Sequence, residues 1–297
     1  MSRMHPTSRP FAAASVIVAL STACLTSTLL AQPGGDRTPR GDSIRQAQRL
    51  DVDGQHAEAR AIFQALIDNA PDPAAKAAAQ RRLAISHGFE GHCAETVKYE
   101  EMVIGYWKTR EEAEPQNAFY QEGEMANEAA RICIDAGDIG TAEKMYKRGS
   151  DLGLKEPEPK THPKSLWDFR LAHAQARIAA RKGDKKAAQR YVAEARRILD
   201  SDQTMAANQE RFYPYLVGYV ALYTNDLKTA ETELMKAISM QGNSTDPFMH
   251  ALLGMTHENM GHRNAAKEWY QKAYDLATQH TPPSAFTRAF ARKKLGP

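Results

Sequence analysis

Two histidines and a glutamate near the carboxyl end are of the residue types that hold and use a catalytic zinc ion. They are His257, Glu258 and His262. A zinc-protease helix needs its two histidines four residues apart, so that both rings face one metal ion. Here they are five residues apart, about 140° around a helix, and Gly261 intervenes. The spacing therefore predicts that no metal binds this segment.

Other residues that could do chemistry are equally isolated. His87, His92 and Cys93 offer metal-ligand atoms but have no further ligand nearby in the sequence, and Glu111 and Glu112 lie in a polar stretch where solvated carboxylates are expected. The chain has no nucleophile elbow, phosphate loop or dinucleotide fingerprint. These patterns predict a protein that is not an enzyme, with no catalytic residue, metal or cofactor. An active site assembled in a groove from distant residues is the alternative that they leave open.

Six short segments share a pattern that is typical of paired helices. Each begins with a turn residue that takes positive φ at low cost. These turn residues are Gly54, Gly91, Gly137, Gly183, Asn225 and Gly261. Five places later comes a small residue: Ala59, Thr96, Ala142, Ala188, Ala230 and Ala266. Seven places before each turn lies a second small residue: Ala47, Ala84, Ala130, Ala176, Gly218 and Gly254.

Two columns of small residues in fixed phase predict stacked helical hairpins. Small side chains let the two helices of a hairpin cross at short distance. Successive turn residues are 37, 46, 46, 42 and 36 residues apart, so some helices or loops are longer than others. Residues 110–116 and the proline-rich residues 155–164 are predicted to be loops, because proline interrupts a helix. The fold class expected is all-α.

These columns resemble the tetratricopeptide repeat, a helix–turn–helix unit of about 34 residues. The resemblance runs from about Gln46 to His280, and Gly254, Ala266 and Tyr270 make the last unit the best match. The units are 40–73, 77–110, 123–156, 169–202, 211–244 and 247–280. The family's tryptophan is absent from every unit, and its proline survives only as Pro71. The resemblance implies a right-handed superhelical solenoid of about six repeats, with a concave groove that binds proteins or peptides.

The amino-terminal segment has the pattern of an export signal. Two arginines precede an uncharged stretch, residues 11–30, and a small residue offers a cleavage point after residue 31. Residues 1–31 are therefore predicted to be a signal peptide, which predicts a periplasmic or secreted protein. Retention of the stretch as a membrane anchor and lipidation of Cys24 are the alternatives. Residues 32–42 are rich in proline and glycine and are predicted to be a disordered linker.

The remaining chain divides into a repeat array and a closing segment. The array is predicted to span residues 43–280. Residues 281–297 are predicted to form a capping helix and tail, because the open end of a solenoid needs a cap with a polar outer face.

Two cysteines remain once the signal is removed. In the register of the resemblance, Cys93 lies early in the second helix of unit two and Cys133 late in the first helix of unit three. Those helices pack antiparallel, so a disulfide is predicted in an oxidising compartment. The alternative is two unpaired buried thiols, since free cysteine packs as a small hydrophobe.

The resemblance also implies which first-helix positions face the groove. One wall is predicted to be basic: Asn127, Arg131, Arg170, His173, Arg177 and Arg181. The next is predicted to be aromatic: Phe212, Tyr215, Tyr219 and Tyr223. Arginine forks suit carboxylates, and tyrosines make large contacts at low entropy cost. The alternative is that the aromatic side chains are core and the arginines a solvated face.

Together these features predict a non-catalytic scaffold of the cell envelope or periplasm that binds a protein or peptide segment with an acidic end. The net charge of +3 is too small to indicate a nucleic-acid partner. A second hypothesis is a membrane-tethered assembly or secretion factor, which requires that residues 11–30 be retained.

Overall fold

The computed structural model describes residues 38–296. The predicted signal peptide, residues 1–31, lies outside this part, as does most of the predicted linker. Fourteen helices and no strand occur in the described part. They are α1 (Pro39–Asp53), α2 (His56–Asp68), α3 (Pro73–Gly88), α4 (Cys93–Lys108), α5 (Pro115–Ala136), α6 (Ile139–Gly153), α7 (Lys164–Arg181), α8 (Lys185–Ser201), α9 (Gln203–Gln209), α10 (Phe212–Tyr223), α11 (Leu227–Ser239), α12 (Pro247–Asn259), α13 (Arg263–Leu276) and α14 (Pro282–Leu295).

Six helical hairpins form the array, as the repeated pattern predicts. They are α1–α2, α3–α4, α5–α6, α7–α8, α10–α11 and α12–α13. All six predicted turn residues have positive φ, from +62° at Asn225 to +93° at Gly137. The all-α repeat solenoid is thereby confirmed. None of the described helices combines the length and apolar character needed to cross a membrane.

Both columns of small residues are buried where the helices of a hairpin cross. In the first column every residue is at most 4% exposed. In the second, a Cβ atom added to Gly254 would lie 2.4 Å from the ring of Tyr270, and one added to Gly218 would lie 2.7 Å from Leu234. The helices therefore approach too closely at these points for any side chain.

Three local features differ from the sequence expectation. Helix α1 begins at Pro39, inside the predicted linker, because Thr38 accepts a hydrogen bond from the amide of Gly41 at 3.1 Å and proline is favoured in the first turn. Helix α5 begins at Pro115, inside the predicted loop 110–116, because proline is favoured in the first turn, and it is 22 residues long. The short helix α9 stands between units four and five, and with α5 it takes up part of the longer spacing between turns.

Helix α14 packs against the first helices of distant units as well as against α13. It contacts α12, α5, α3 and α1. A single helix reaches the first helices of units one, two, three and six only from the inner side of a curved array. Its role thus extends beyond the predicted cap on the last unit, because it also joins the two ends of the solenoid and fills part of the concave face.

A disulfide links the second and third units. Cys93, the first residue of α4, is bonded to Cys133 near the end of α5, with the two Cα atoms 4.8 Å apart. The two helices pack against each other, so the start of one lies beside the end of the other.

Candidate functional site

A pocket of about 260 Å³ lies among the helices of units three to six. Seven of the ten residues predicted to face the groove line it: Asn127, Arg131, Arg170, His173, Arg177, Phe212 and Tyr215. They come from three successive first helices, α5, α7 and α10. The register inferred from the repeats therefore brings residues from separate units to one cavity.

Six further lining residues were not predicted: Glu124, Tyr146, Phe169, Gln209, Asp246 and Met249. Tyr146 belongs to the second helix of unit three, where the repeat pattern places a core aromatic residue. Gln209 ends the unpredicted helix α9. Asp246 caps α12, and its Oδ1 accepts hydrogen bonds from the amides of Phe248 at 2.8 Å and Met249 at 3.2 Å. The local signal for Asp246 was its position directly before a proline, because an acidic residue at that place often caps the start of a helix.

The other three predicted residues, Arg181, Tyr219 and Tyr223, lie outside the pocket. Tyr215 lines the pocket but is only 4% exposed, and Tyr219 is completely buried, so the expectation that three tyrosines line an accessible wall is wrong at both positions. The ring of Tyr219 lies 4.6 Å from that of Tyr223 and 6.5 Å from that of Phe248 in the next unit. Arg181 covers this cluster, donating to the hydroxyl of Tyr219 at 3.4 Å. Packing between units five and six therefore buries this part of the predicted aromatic wall.

Arg177 is the most unusual group of the pocket. It is 5% exposed, and a guanidinium stays charged at any physiological pH. Its Nη2 donates to the hydroxyl of Tyr146 at 2.8 Å and its Nη1 to that of Tyr215 at 3.5 Å. Its Nε has no hydrogen-bond partner, and no described carboxylate forms an ion pair with it. The site thus holds a buried cation that contacts tyrosine hydroxyls and rings, and the carboxylate of Asp135, which acts on its charge, is already paired with Arg131.

The other two arginines of the pocket are each paired with a carboxylate. Nε of Arg131 donates to Oδ2 of Asp135 at 3.0 Å, and Arg170 pairs with Glu124. The guanidinium of Arg131 also lies 4.3 Å from the centre of the Phe248 ring. Its Nη2 has no hydrogen-bond partner. This Nη2 is therefore a donor left for a ligand.

His173 supplies a neutral polar group to the same cavity. Burial, with a further contribution from the charge of Arg177, lowers the pKa of His173 well below its usual range. The imidazole is therefore uncharged at neutral pH. Its Nε2 is buried without a hydrogen-bond partner, and the ring lies 5.4 Å from that of Tyr215.

The chemistry of this pocket favours binding. Its lining includes no serine, threonine, cysteine or lysine that could act as a nucleophile. Within residues 38–296, no group of three or more histidine, cysteine or acidic side chains could hold a metal ion. The lining arginines Arg131 and Arg177 each leave a buried donor without a partner, and such donors suit an anion.

Comparison with known proteins supports the repeat assignment. Residues 249–280, which include most of α12 and all of α13, match the model of the tetratricopeptide repeat family. No curated protein matches the sequence significantly. One similar solved structure is the crystal structure of the apo form of RapI, with 14% identity and a TM-score of 0.31. The alignment covers 80% of this chain and 65% of that one, and a TM-score this low does not establish a common fold.

The chain thus carries a tetratricopeptide repeat within an all-α helical repeat scaffold. Arrays of this class present extended concave surfaces on which proteins or peptides bind.

Proposed function

We propose that the protein is an exported, non-catalytic scaffold that binds a protein or peptide segment with an acidic end at the pocket around Arg177. The observation that carries this proposal is the convergence of the predicted groove residues on one pocket that contains an unpaired buried guanidinium. A buried charge without an ion-pair partner of its own is unfavourable. A carboxylate from a partner would compensate it.

The position of α14 restricts where the partner docks. This helix occupies the inner face near units one, two, three and six, and Ala285 packs there against Val52, Ile85 and Phe89. The pocket is lined by residues of units three to six and by none of α14. The partner is therefore expected to contact α5, α7, α10 and the start of α12.

The proposed periplasmic or secreted location rests on residues 1–31, which lie outside the described residues. Intact-mass measurement of the protein isolated from its native host would test it. A chain that begins at residue 32 supports export with cleavage. A full-length or lipidated chain would instead favour the membrane-tethered assembly or secretion factor.

Binding can be tested by affinity capture with residues 32–297 as bait and quantitative mass spectrometry. Arg177→Gln is expected to weaken capture of the specific partner by about 1–3 kcal/mol, typical of an anchor residue. The control is Arg190→Gln, which removes an exposed arginine of α8. A partner retained equally by all three baits would contradict docking at this pocket, and a bait with no specific partner would contradict the scaffold itself.

A further inference from the structure

We propose that the pocket around Arg177 recognises a single carboxylate attached to one apolar or aromatic group, and that it discriminates against doubly charged anions such as phosphate. This inference rests on the proposed function and specifies the ligand chemistry of the same site. Three features carry it: the donors without partners, the local charge balance, and the size and lining of the cavity.

The donors define the polar end of the ligand. Nε of Arg177 and Nη2 of Arg131 are both buried without hydrogen-bond partners. Buried polar atoms in folded proteins are nearly always hydrogen-bonded, so two such donors on side chains that line one cavity call for an acceptor from outside the chain. A carboxylate has two oxygens that accept several such bonds.

The charge balance limits the ligand to one negative charge. Arg131 and Arg170 are already paired with Asp135 and Glu124. Arg177 and Arg181 form no ion pair, although the charge of Asp135 acts on both. Arg181 lies outside the pocket and contacts Tyr219 and Tyr223. The carboxylates of Glu124 and Asp246 also line the cavity and would repel a second negative charge.

The cavity itself limits the rest of the ligand. Its volume of about 260 Å³ is below the range of about 300–1,000 Å³ typical of pockets for drug-sized molecules. The rings of Phe169, Phe212 and Tyr215 lie in its wall. A space of this size with aromatic walls fits one apolar side chain beside the carboxylate. Such a group is either the end of a partner peptide or a free small acid.

The test is calorimetric titration of residues 32–297 with 3-phenylpropionate, its neutral amide and phenyl phosphate. The carboxylate is expected to bind at least about tenfold more tightly than either of the others, in line with a hydrogen bond to a charged group. Equal binding of acid and amide, tighter binding of phenyl phosphate, or binding of none of the three would overturn the proposal.

Variants separate the charge of Arg177 from its structural role. Arg177→Gln is expected to abolish the preference for acid over amide, whereas Arg177→Lys should reduce affinity and keep the preference. Arg190→Gln should behave as the wild type. If Arg177→Gln fails to fold, the comparison of the three ligands on the wild type needs no variant. An acid preference unchanged in Arg177→Gln and Arg177→Lys would overturn the assignment.

The source of the carboxylate follows from a second titration, with the tetrapeptide acetyl-Gly-Gly-Gly-Phe and its carboxyl-terminal amide. Tighter binding of the tetrapeptide acid than of 3-phenylpropionate indicates a chain terminus, and equal binding indicates a small free acid. A partner captured equally by wild type and Arg177→Gln would preserve the scaffold function while contradicting this site.

Discussion

Nε2 of His280 lies 2.8 Å from Oδ2 of Asp51, although 229 residues separate them in sequence. A carboxylate only accepts hydrogen bonds, so the histidine donates. Asp51 is fully buried and also receives hydrogen bonds from Ser86 at 2.9 Å and His56 at 3.1 Å. Arg288 of α14 adds a bond from its Nε to the carbonyl of Val52 at 3.0 Å. These contacts fasten the carboxyl-terminal segment to the first unit.

Replacement of Asp51 by asparagine is expected to lower the free energy of unfolding by about 2 kcal/mol at pH 7, because hydrogen bonds to a charged acceptor are lost. Urea denaturation followed by circular dichroism measures this. The matched control is Asp53→Asn, which changes an exposed carboxylate on the same helix and should have little effect.

The effect of Asp51→Asn should depend on pH. Burial alone would raise the pKa of Asp51, but the hydrogen bonds from His280, His56 and Ser86 hold this pKa below its ordinary value of 3.8. A lowered pKa stabilises the folded state above the unfolded pKa and loses that effect as pH falls through the folded pKa. The difference between wild type and variant should therefore narrow below pH 3.8. A constant difference from pH 7 to pH 2.5 would contradict the ionised Asp51.

Glu122 of α5 is expected to show the opposite behaviour. Burial, with the nearby carboxyl of Glu111, raises the pKa of Glu122 to about 7. Because the folded protein holds this proton more tightly than the unfolded chain, stability is lost as pH rises from 4.5 towards 7. Glu122→Gln should be more stable than wild type at pH 8 and equal to it at pH 4.5. Glu112→Gln, at an exposed site, is the control, and an equal gain there would exclude burial as the cause.

Reduction of the Cys93–Cys133 disulfide is expected to lower stability by about 3–4 kcal/mol in the chain-entropy model, since the bond closes a loop of about forty residues. Denaturation with and without a phosphine reductant measures the loss, in a Cys24→Ser background that prevents exchange. The double variant Cys93→Ala, Cys133→Ala should be insensitive to the reductant. Identical wild-type curves in both conditions would show that the bond does not stabilise the fold.

Two glycines within helices should respond oppositely to alanine. At Gly254 the new Cβ would lie 2.4 Å from the Tyr270 ring, whereas at Gly105 nothing lies within 4 Å. Gly254→Ala is expected to destabilise by about 1–3 kcal/mol through overpacking. Gly105→Ala should stabilise by about 0.5–1 kcal/mol, because alanine restricts the unfolded chain. Thermal melts compare them, and a tolerated Gly254→Ala would contradict the close helix crossing.

Features set by local sequence were predictable, and those set by distant packing were not. The turn at Gly54 and the crossing at Gly254 follow from residue size and backbone freedom. Arg177 and Tyr215 were located in the pocket by their register within a repeat. The burial of Tyr219 depends on Phe248 of the following unit, which no pattern within one unit specifies.

The place of α14 was beyond sequence reasoning for the same physical reason. The sequence of residues 281–297 predicts a capping helix, but it does not say which surfaces that helix covers. The surface that α14 covers depends on the hydrogen bond between His280 of the last unit and Asp51 of the first. Such a contact arises from the curvature accumulated over all six units.

The central claim is that a partner docks at the inner pocket. It is tested most directly by placing the photo-crosslinking residue p-benzoylphenylalanine at Gln209, which lines the pocket, and at Glu194, a half-exposed residue of α8 outside the pocket. The captured partner is expected to crosslink from position 209, not from position 194, and the crosslink should be lost in Arg177→Gln. Crosslinking from position 194 alone, or from position 209 irrespective of Arg177, would contradict the claim.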